Sequence, residues 1–422
     1  MSQISPVRNC SALISASRTA GDFHRSGSLT GTLVRTPGDY NAFNLLPSYR
    51  SLNNPPIFSL SLRSVDGGLR RDPKPIRGAL PPFFANLLPE EKLREAMEKH
   101  HAASVRPGND FDLLAALGSS LPGAVRALPS DGIPIPDDGP VAESRKKARF
   151  SLAGVQMKLS VMKNTGKGGE ITLAVDDEQG EYIAKFPSLT HIGLSENEFA
   201  ILALAEALGM EVPTRELVDK AEFAGIPEEF NTMATGKVLL VRRFDRGAGG
   251  ARVHMEDFAQ VFDRYPSEKY TGGAYHNIAA ALTSGVSFDA AIEFVRRLAL
   301  IAITGNGDMH LKNWSLLYPG DGRTPMLSPV YDMLSTVPYI PKDGLALSLA
   351  GEKSFKALTP ERWRNFANRS RLPEGAVMNA VAETAAAVRD KWPILPERDV
   401  VPAPVLERID AHIDEMAAVL VP

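Results

Sequence analysis

The feature of this sequence that most constrains its fold is the stretch Gly305-Asn-Gly-Asp-Met-His-Leu-Lys-Asn-Trp. It places Asp308 and Asn313 five residues apart, and a segment with a Pro-Gly-Asp-Gly turn leads from it to Asp332. We predict that residues 314–331 form a hairpin, which returns Asp332 towards the other two side chains. Kinase-type phosphoryl transfer needs such a set: one Asp that orients the acceptor hydroxyl, and an Asn and a second Asp that hold Mg²⁺.

Taken alone, this stretch also fits a solvated turn whose carboxylates do no chemistry. Lys185 favours a kinase-type site over a solvated turn. It lies in a short apolar strand, Tyr182-Ile-Ala-Lys-Phe, where a charge is costly unless it is paired. Glu198, on the next predicted helix, is its natural partner, and a strand Lys held by a helix Glu is the other half of a kinase site. A solvated edge-strand lysine remains the alternative. Lys312 could neutralise charge that develops on the transferred phosphoryl group.

Length and composition limit the class of protein. A chain of 422 residues predicts two or three subdomains, and 47 Lys and Arg against 50 Asp and Glu argue against a whole-chain nucleic-acid coat. The single cysteine, Cys10, excludes an internal disulfide and a cysteine-based zinc site, which indicates a reducing compartment. No apolar run approaches the ~20 residues of a membrane span, and no secretory signal is evident. We therefore expect a soluble, cytoplasmic protein with no membrane partner.

Turn residues and hydrophobic patterning predict an α/β fold with a mixed N-terminal part and a kinase-like core whose C-terminal lobe is mostly α-helical. The predicted domains are an N-terminal subdomain (1–128), a Pro-rich linker (129–148) and a catalytic core (149–422), itself divided into a nucleotide-binding part (149–245) and a helical lobe (246–422). Short strands are predicted at 31–34, 57–62, 159–162, 171–175, 182–186 and 238–244, and helices at 111–117, 196–208, all of 257–304 and the tail from 360.

The ordered motifs resemble the HipA-type serine/threonine protein kinases, toxins of bacterial toxin–antitoxin pairs. The resemblance covers nearly the whole chain, although the residues before about Pro56 match weakly. In the core it rests on Ser151-Leu-Ala-Gly-Val-Gln-Met-Lys, Ala184-Lys-Phe-Pro, Asn197-Glu198, Arg243-Phe-Asp-Arg, Gly307-Asp-x-His-x-Lys-Asn and Tyr331-Asp332. In the N-terminal part it rests on Phe84-Ala-Asn-Leu-Leu-Pro, Phe111-Asp-Leu-Leu-Ala-Ala-Leu-Gly and Pro122-Gly-Ala-Val.

The resemblance implies a HipA-type fold, ATP and Mg²⁺ as cofactors, and a role for each matching position. Asp308 would be the catalytic base, and Asn313 and Asp332 the metal ligands. Lys185 would hold the ATP phosphates, and Ser151 would autophosphorylate and so switch the kinase off. The other positions assigned to nucleotide binding are Ala153, Gly154, Val155, Gln156, Met157 and Lys158 over the phosphates, Arg242, Arg243 and Phe244 at the hinge, and His310, Leu311 and Tyr331. Arg242 departs from the family, where an acidic residue is expected.

The resemblance also implies partners: a small helix-turn-helix antitoxin of the HipB type, DNA mainly through that antitoxin, and a protein substrate such as an aminoacyl-tRNA synthetase. Two alternatives remain open. A small-molecule kinase of the aminoglycoside or choline type shares the Asp-x₄-Asn pattern, but it would not need the 80–128 block. The other is a co-repressor subunit with a decayed kinase site, against which the intact Lys185, Asp308, Asn313 and Asp332 argue.

Overall fold

The computed structural model describes residues 8–14, 28–118, 120–129, 156, 158–163, 170–173, 180–188, 190–224, 236–247, 251–340 and 342–420. The predicted residues Ser151, Ala153, Gly154, Val155 and Met157 lie outside this range, as does the predicted linker after Pro129. The chain divides into two compact units, the first of residues 1–181, 244–266 and 317–325, and the second of residues 182–243, 267–316 and 326–422. In the described part of the chain, no helix is both long and apolar enough to cross a membrane.

The strands are short and mostly antiparallel. They are β1 (Arg8–Ile14), β2 (Ser28–Thr36), β3 (Tyr40–Leu45), β4 (Ile76–Arg77), β5 (Val125–Pro129), β6 (Lys158–Lys163), β7 (Ile171–Leu173), β8 (Tyr182–Lys185), β9 (Arg215–Val218), β10 (Phe223–Ala224), β11 (Val238–Arg242), β12 (His254–Asp257), β13 (Ser315–Tyr318) and β14 (Met326–Leu327).

In the described part of the chain, every helix longer than ten residues begins at Leu194 or later. The helices are α1 (Pro47–Arg50), α2 (Pro82–Ala85), α3 (Glu91–His100), α4 (Asp110–Leu117), α5 (Leu194–Ala207), α6 (Phe258–Val261), α7 (Tyr275–Gly285), α8 (Phe288–Thr304), α9 (Pro360–Ser370), α10 (Glu374–Lys391) and α11 (Ala403–Leu420). The predicted helix over 196–208 is therefore present as α5, and the helical tail as α9 to α11. The prediction that all of 257–304 is helical is wrong, because residues 262–274 between α6 and α7 form turns and a short 3₁₀ segment, Pro266–Glu268.

The first unit contains a five-stranded sheet in the order β4-β3-β2-β1-β5. Beside it, rings of phenylalanine form a compact core: the centroids of Phe43 and Phe58 are 5.1 Å apart, and those of Phe58 and Phe83 are 4.6 Å apart. Burial of such rings is a major source of stability, and each contact adds to it when the rings stack or meet edge to face.

The predicted strand at 57–62 is wrong, because the chain there forms a 3₁₀ turn over Leu60–Leu62. A buried carboxylate contributes to the difference. Glu256 accepts hydrogen bonds from the Ser59 hydroxyl (2.7 Å) and from the Leu60 amide (2.9 Å), the backbone donor that would otherwise pair with a neighbouring strand. Tyr318 also donates to Glu256. Burial raises the pKa of the Glu256 carboxyl to about 7 despite these donors.

The second unit is built around α8, most of whose apolar residues are buried, among them Phe294, Leu298 and Ile301. The Ser287 hydroxyl caps its N-terminus by accepting from the Ala290 amide (3.0 Å), and Gly305 ends it at φ +71°, a left-handed conformation that glycine adopts at little cost. In the same unit β11 pairs antiparallel with β8 and with β9. The predicted return at 314–331 is present, since the Ser328 amide donates to the Ser315 carbonyl (2.9 Å).

Candidate active site

The end of α8 leads directly into the loop that carries Asp308. Asn306 is completely buried, and its side-chain oxygen accepts from the Asp308 amide (2.9 Å). The Asp308 carbonyl accepts from the Asn313 side-chain amide and from the His310 amide, both at 2.8 Å. These bonds fix the main chain of Asp308 from both sides, while half of its side chain stays exposed (50%). The predicted pair Asp308 and Asn313 is thus brought together.

The loop is also held from its buried side. The Met309 carbonyl accepts from the Tyr275 hydroxyl (3.0 Å) and the Trp314 indole (3.3 Å), and burial raises the pKa of Tyr275, so its hydroxyl remains a donor. Leu311 is itself completely buried, and its amide donates to the Lys269 carbonyl (3.1 Å). The backbone that presents Asp308 is therefore anchored to the core of the second unit.

The exposed side of the loop carries a contact that the sequence did not predict. The Tyr270 hydroxyl donates to Oδ1 of Asp308 (2.5 Å), and Nε2 of His310 lies 4.0 Å from the same oxygen. The rings of Tyr270 and His310 meet edge to face with centroids 4.9 Å apart. Because Tyr270 lies in an irregular turn, no periodic pattern marks it as a neighbour of Asp308.

Lys185 forms the second part of the site. It ends β8 opposite Leu239 of β11, and its side chain is nearly buried (5% exposed). Its amine donates to the carboxylates of Glu198, the predicted partner on α5, and of Asp332. Burial alone would lower the pKa of this amine, but the charges of Asp332 and Glu198 outweigh burial and raise it to about 12. Lys185, Glu198 and Asp332 therefore form one charged cluster.

The loop that follows Asp332 is fastened to α5 through Asn197. Asp332 itself has a left-handed backbone (φ +50°), which is uncommon for a residue with a side chain. Asn197 is fully buried; its side-chain oxygen accepts from the Ser335 amide (3.0 Å) and its side-chain amide donates to the Ser335 carbonyl (2.8 Å). One turn of α5 thus positions both Lys185, through Glu198, and the loop after Asp332, through Asn197.

A further network joins the two loops. The Gly307 amide donates to the Thr336 hydroxyl (2.7 Å), and Thr336 in turn contacts the Gly305 carbonyl and the Asp343 carboxylate. A Cβ atom at Gly307 would lie 2.2 Å from an Asp343 carboxylate oxygen, so a side chain at this position cannot fit without movement. The close packing of Asp343 thus explains why the second glycine of the Gly-Asn-Gly-Asp stretch, Gly307, has no side chain.

The remaining predicted residues are placed as follows. The Tyr331 hydroxyl lies against the Lys312 carbonyl (3.1 Å) and the Ser315 hydroxyl (2.6 Å), and it therefore joins the two ends of the hairpin. Arg242 is exposed, and its amide donates to the Thr214 carbonyl (2.8 Å). The side chains of Gln156, Lys158 and Arg243 are buried, and Phe244 is half-buried.

The donor set at this site suits magnesium better than a metal that needs several protein ligands. Among the residues that the structure describes, no group of three or more His, Cys, Asp or Glu side chains could hold a metal ion. Mg²⁺ in kinase-type sites is bound by one or two protein oxygens together with substrate phosphates and water. Asn313 and Asp332 could each supply one oxygen ligand of this kind.

Comparison with known proteins identifies the family. Residues 150–392 match the model of the HipA-like C-terminal domain, and residues 22–128 match that of the HipA N-terminal domain. The chain is 41% identical over 398 residues to the Sinorhizobium fredii protein Y4dM, covering 93% of this chain and 96% of that protein. It is 30% identical over 299 residues to the serine/threonine-protein kinase toxin HipA of Shewanella oneidensis, covering 61% of this chain and 63% of that one.

A solved structure shares the fold. The HipA chain in the Shewanella oneidensis complex of HipA, HipB and operator DNA superimposes with a TM-score of 0.72 at 21% identity, covering 97% of this chain and 96% of that chain. This likeness confirms the predicted α/β, protein-kinase-like fold. Since the C-terminal family model alone spans more than half of the sequence, the resemblance inferred from its motifs is confirmed, and the chain belongs to the HipA family of kinase-type enzymes.

Proposed function

We propose that this protein is an ATP-dependent serine/threonine protein kinase of the HipA toxin type. The observation that carries the proposal is the charged cluster of Lys185, Glu198 and Asp332, held on the same unit as the anchored loop of Asp308 and Asn313. A buried lysine paired with a helix glutamate and a metal-binding Asp is the arrangement that kinase-type phosphoryl transfer uses. Family membership supports the same conclusion.

Each side chain has a proposed task in transfer of the γ-phosphoryl group. Asp308 accepts a hydrogen bond from the acceptor hydroxyl and takes its proton as the new P–O bond forms, while the bond from the γ-phosphorus to the bridging oxygen breaks and ADP leaves. Lys185 exchanges its contact with Asp332 for the ATP phosphates, and Glu198 keeps the amine in place. Lys312 provides positive charge beside the transferred group. Asn313 and Asp332 would hold Mg²⁺, which neutralises phosphate charge when it is bound.

Regulation and partners are part of the proposal. Ser151 lies in the family's nucleotide-loop motif, just after the basic residues Arg145, Lys146, Lys147 and Arg149. Its phosphorylation would add roughly −1.5 to −2 charge, which the basic residues could bind, so that the loop leaves ATP and the kinase is switched off.

A HipB-like helix-turn-helix antitoxin is the proposed partner, with DNA bound mainly through it and with co-repression of the operon as the result. Support comes from the fold shared with the HipA of the HipA–HipB–DNA complex and from the match of residues 22–128 to the HipA N-terminal domain. That match also argues against a small-molecule kinase. From the family resemblance we propose an aminoacyl-tRNA synthetase as the substrate. The single cysteine, Cys10, supports the cytoplasm as the location.

The test is the substitution Asp308→Asn. It keeps the shape of the side chain, and an oxygen that can accept from Tyr270, but it removes the base. We expect folding and ATP affinity to be unchanged. Phosphoryl transfer, measured as radiolabel that passes from γ-labelled ATP to casein or to the protein itself, should fall by ~10²–10⁴-fold.

Asp321→Asn is the matched control, because Asp321 lies on an exposed turn, where it pairs with Arg323 (2.9 Å). It should transfer phosphate at the wild-type rate. Transfer by Asp308→Asn at that same rate would remove the support for Asp308 as the base. The absence of transfer by the wild type, alone and with a candidate antitoxin, would favour the decayed co-repressor.

A further inference from the structure

The contact between Tyr270 and Asp308 repeats the contact that an acceptor makes in phosphoryl transfer. In such a reaction, the hydroxyl of the acceptor donates a hydrogen bond to the catalytic carboxylate before it attacks phosphorus. In this structure, the phenol O–H of Tyr270 already donates to Oδ1 of Asp308 (2.5 Å). The exposed half of the Asp308 side chain is therefore in contact with a hydroxyl group of the chain itself.

The turn that carries Tyr270 is anchored by its backbone. The amides of Thr271 and Gly272 both donate to the Glu268 carbonyl, at 2.9 and 2.6 Å, and the Lys269 carbonyl accepts from the Leu311 amide (3.1 Å). The turn is thus fixed against the loop that carries Asp308, and it places Tyr270 there whenever the loop is folded.

The side chain of Tyr270 is, in contrast, open to displacement. It is 40% exposed, and its ring meets His310 with an edge rather than inserting into the core. A rotation about its side-chain bonds would move the hydroxyl away from Asp308, and rotamer changes of exposed side chains take place in picoseconds to nanoseconds. No backbone hydrogen bond of the turn has to break.

We propose that Tyr270 occupies the acceptor-hydroxyl position on Asp308 and that a protein acceptor must displace it in order to react. This inference rests on the proposed kinase function and assigns an acceptor-site residue to it. Tyr270 competes with the acceptor for one carboxylate oxygen, so it weakens acceptor binding. It takes no part in the chemistry once it has been displaced.

The test separates acceptor affinity from turnover. Tyr270→Phe removes only the hydroxyl and keeps the ring against His310. With dephosphorylated casein as the acceptor and saturating Mg-ATP, we expect the KM for casein to fall roughly three- to tenfold, the effect of losing one partly exposed hydrogen bond to a charged group. The expected kcat stays within about twofold of the wild-type value. Tyr40→Phe, at a 43% exposed tyrosine of the first unit, is the matched control and should leave both constants unchanged.

Each other outcome has a distinct meaning. A lower kcat at constant KM would show that Tyr270 orients Asp308, and the inference would be wrong. Equal constants in Tyr270→Phe and wild type would overturn it as well, while leaving the kinase proposal standing. Phosphate mapped by mass spectrometry to Tyr270 would make this residue an acceptor rather than a competitor, again against the inference. A wild type that transfers no phosphate to casein, to itself or to water would contradict the kinase function, and the inference with it.

Discussion

Glu198 provides a quantitative test of the charged cluster. The substitution Glu198→Gln preserves the size of the side chain and one acceptor oxygen, but it removes a negative charge from beside the Lys185 amine. Both side chains are nearly buried, with 3% of Glu198 and 5% of Lys185 exposed. In the wild type, the charges of Asp332 and Glu198 raise the pKa of the Lys185 amine to about 12 against the effect of burial. In the variant, Asp332 remains to keep the amine charged at neutral pH, so the loss of Glu198 leaves a buried charge with one partner fewer.

The expected loss of stability depends on the contacts that Lys185 keeps in the variant. Removing one partner of a buried ion pair costs about 3–5 kcal/mol when the other charge is left alone. Here Asp332 still pairs with Lys185, and the glutamine oxygen can still accept a hydrogen bond, so we expect the free energy of unfolding to fall by about 2–3 kcal/mol. The affinity for Mg-ATP should fall too, since Asp332 is then the sole carboxylate that balances this amine and is less available to a metal.

Urea unfolding followed by tryptophan fluorescence is the appropriate assay. The three tryptophans, Trp314, Trp363 and Trp392, all belong to the second unit, so the signal reports on the unit that contains the cluster. Glu206→Gln is the matched control on the same helix. The Glu206 side chain is 63% exposed and pairs with Arg215 (2.9 Å), an interaction worth about 0–1 kcal/mol. If Glu198→Gln lost no more stability than Glu206→Gln, our account of the cluster would be refuted.

Two further predictions concern Glu256 and Ser151. Since burial raises the pKa of Glu256 from 4.5 to about 7, its contribution to stability is fully present below pH 4.5 and is lost as the pH rises through 7. The unfolding free energy of Glu256→Gln, relative to that of the wild type, should therefore rise by about 3 kcal/mol from pH 4.5 to pH 8. Urea unfolding followed by circular dichroism measures this difference. A difference that does not depend on pH would contradict this role of Glu256. Incubation with Mg-ATP should add one phosphate to Ser151, measured by intact-mass and peptide analysis, and this phosphate should be absent in Ser151→Ala and Asp308→Asn. The phosphorylated protein should bind ATP more weakly than the unmodified protein. If it binds ATP equally well, the proposed switch has no support.

The sequence predicts the parts of the site that have a strong local signal. The spacing of Asp308 and Asn313 and the polar Lys185 in an apolar strand are visible without a structure, and the expected pair of Lys185 with Glu198 is present. The contact of Lys185 with Asp332 joins residues 147 positions apart, and the short strands between them do not specify such a distance.

The groups that the sequence did not reveal act mostly on backbone atoms. Asn197 bonds the amide and carbonyl of Ser335, and Thr336 bonds the Gly307 amide, so neither contact depends on a complementary side chain that a pattern could indicate. The strand predicted at 57–62 failed for a related reason. Its apolar alternation is real, but a carboxylate from Glu256, almost two hundred residues away, accepts from the Leu60 amide in place of a neighbouring strand.

The most direct test of the central claim, that Lys185 and Asp332 form a magnesium-dependent nucleotide site, is the calorimetric affinity for ATP with and without Mg²⁺. The wild type should bind ATP more tightly with Mg²⁺, and Asp332→Ala should lose that gain, a decrease of roughly tenfold or more for a charged contact. Lys185→Met should weaken ATP binding in Mg²⁺ but leave metal binding without nucleotide unchanged. Equal ATP affinity in Mg²⁺ for the wild type and both variants would contradict the account and place the nucleotide elsewhere.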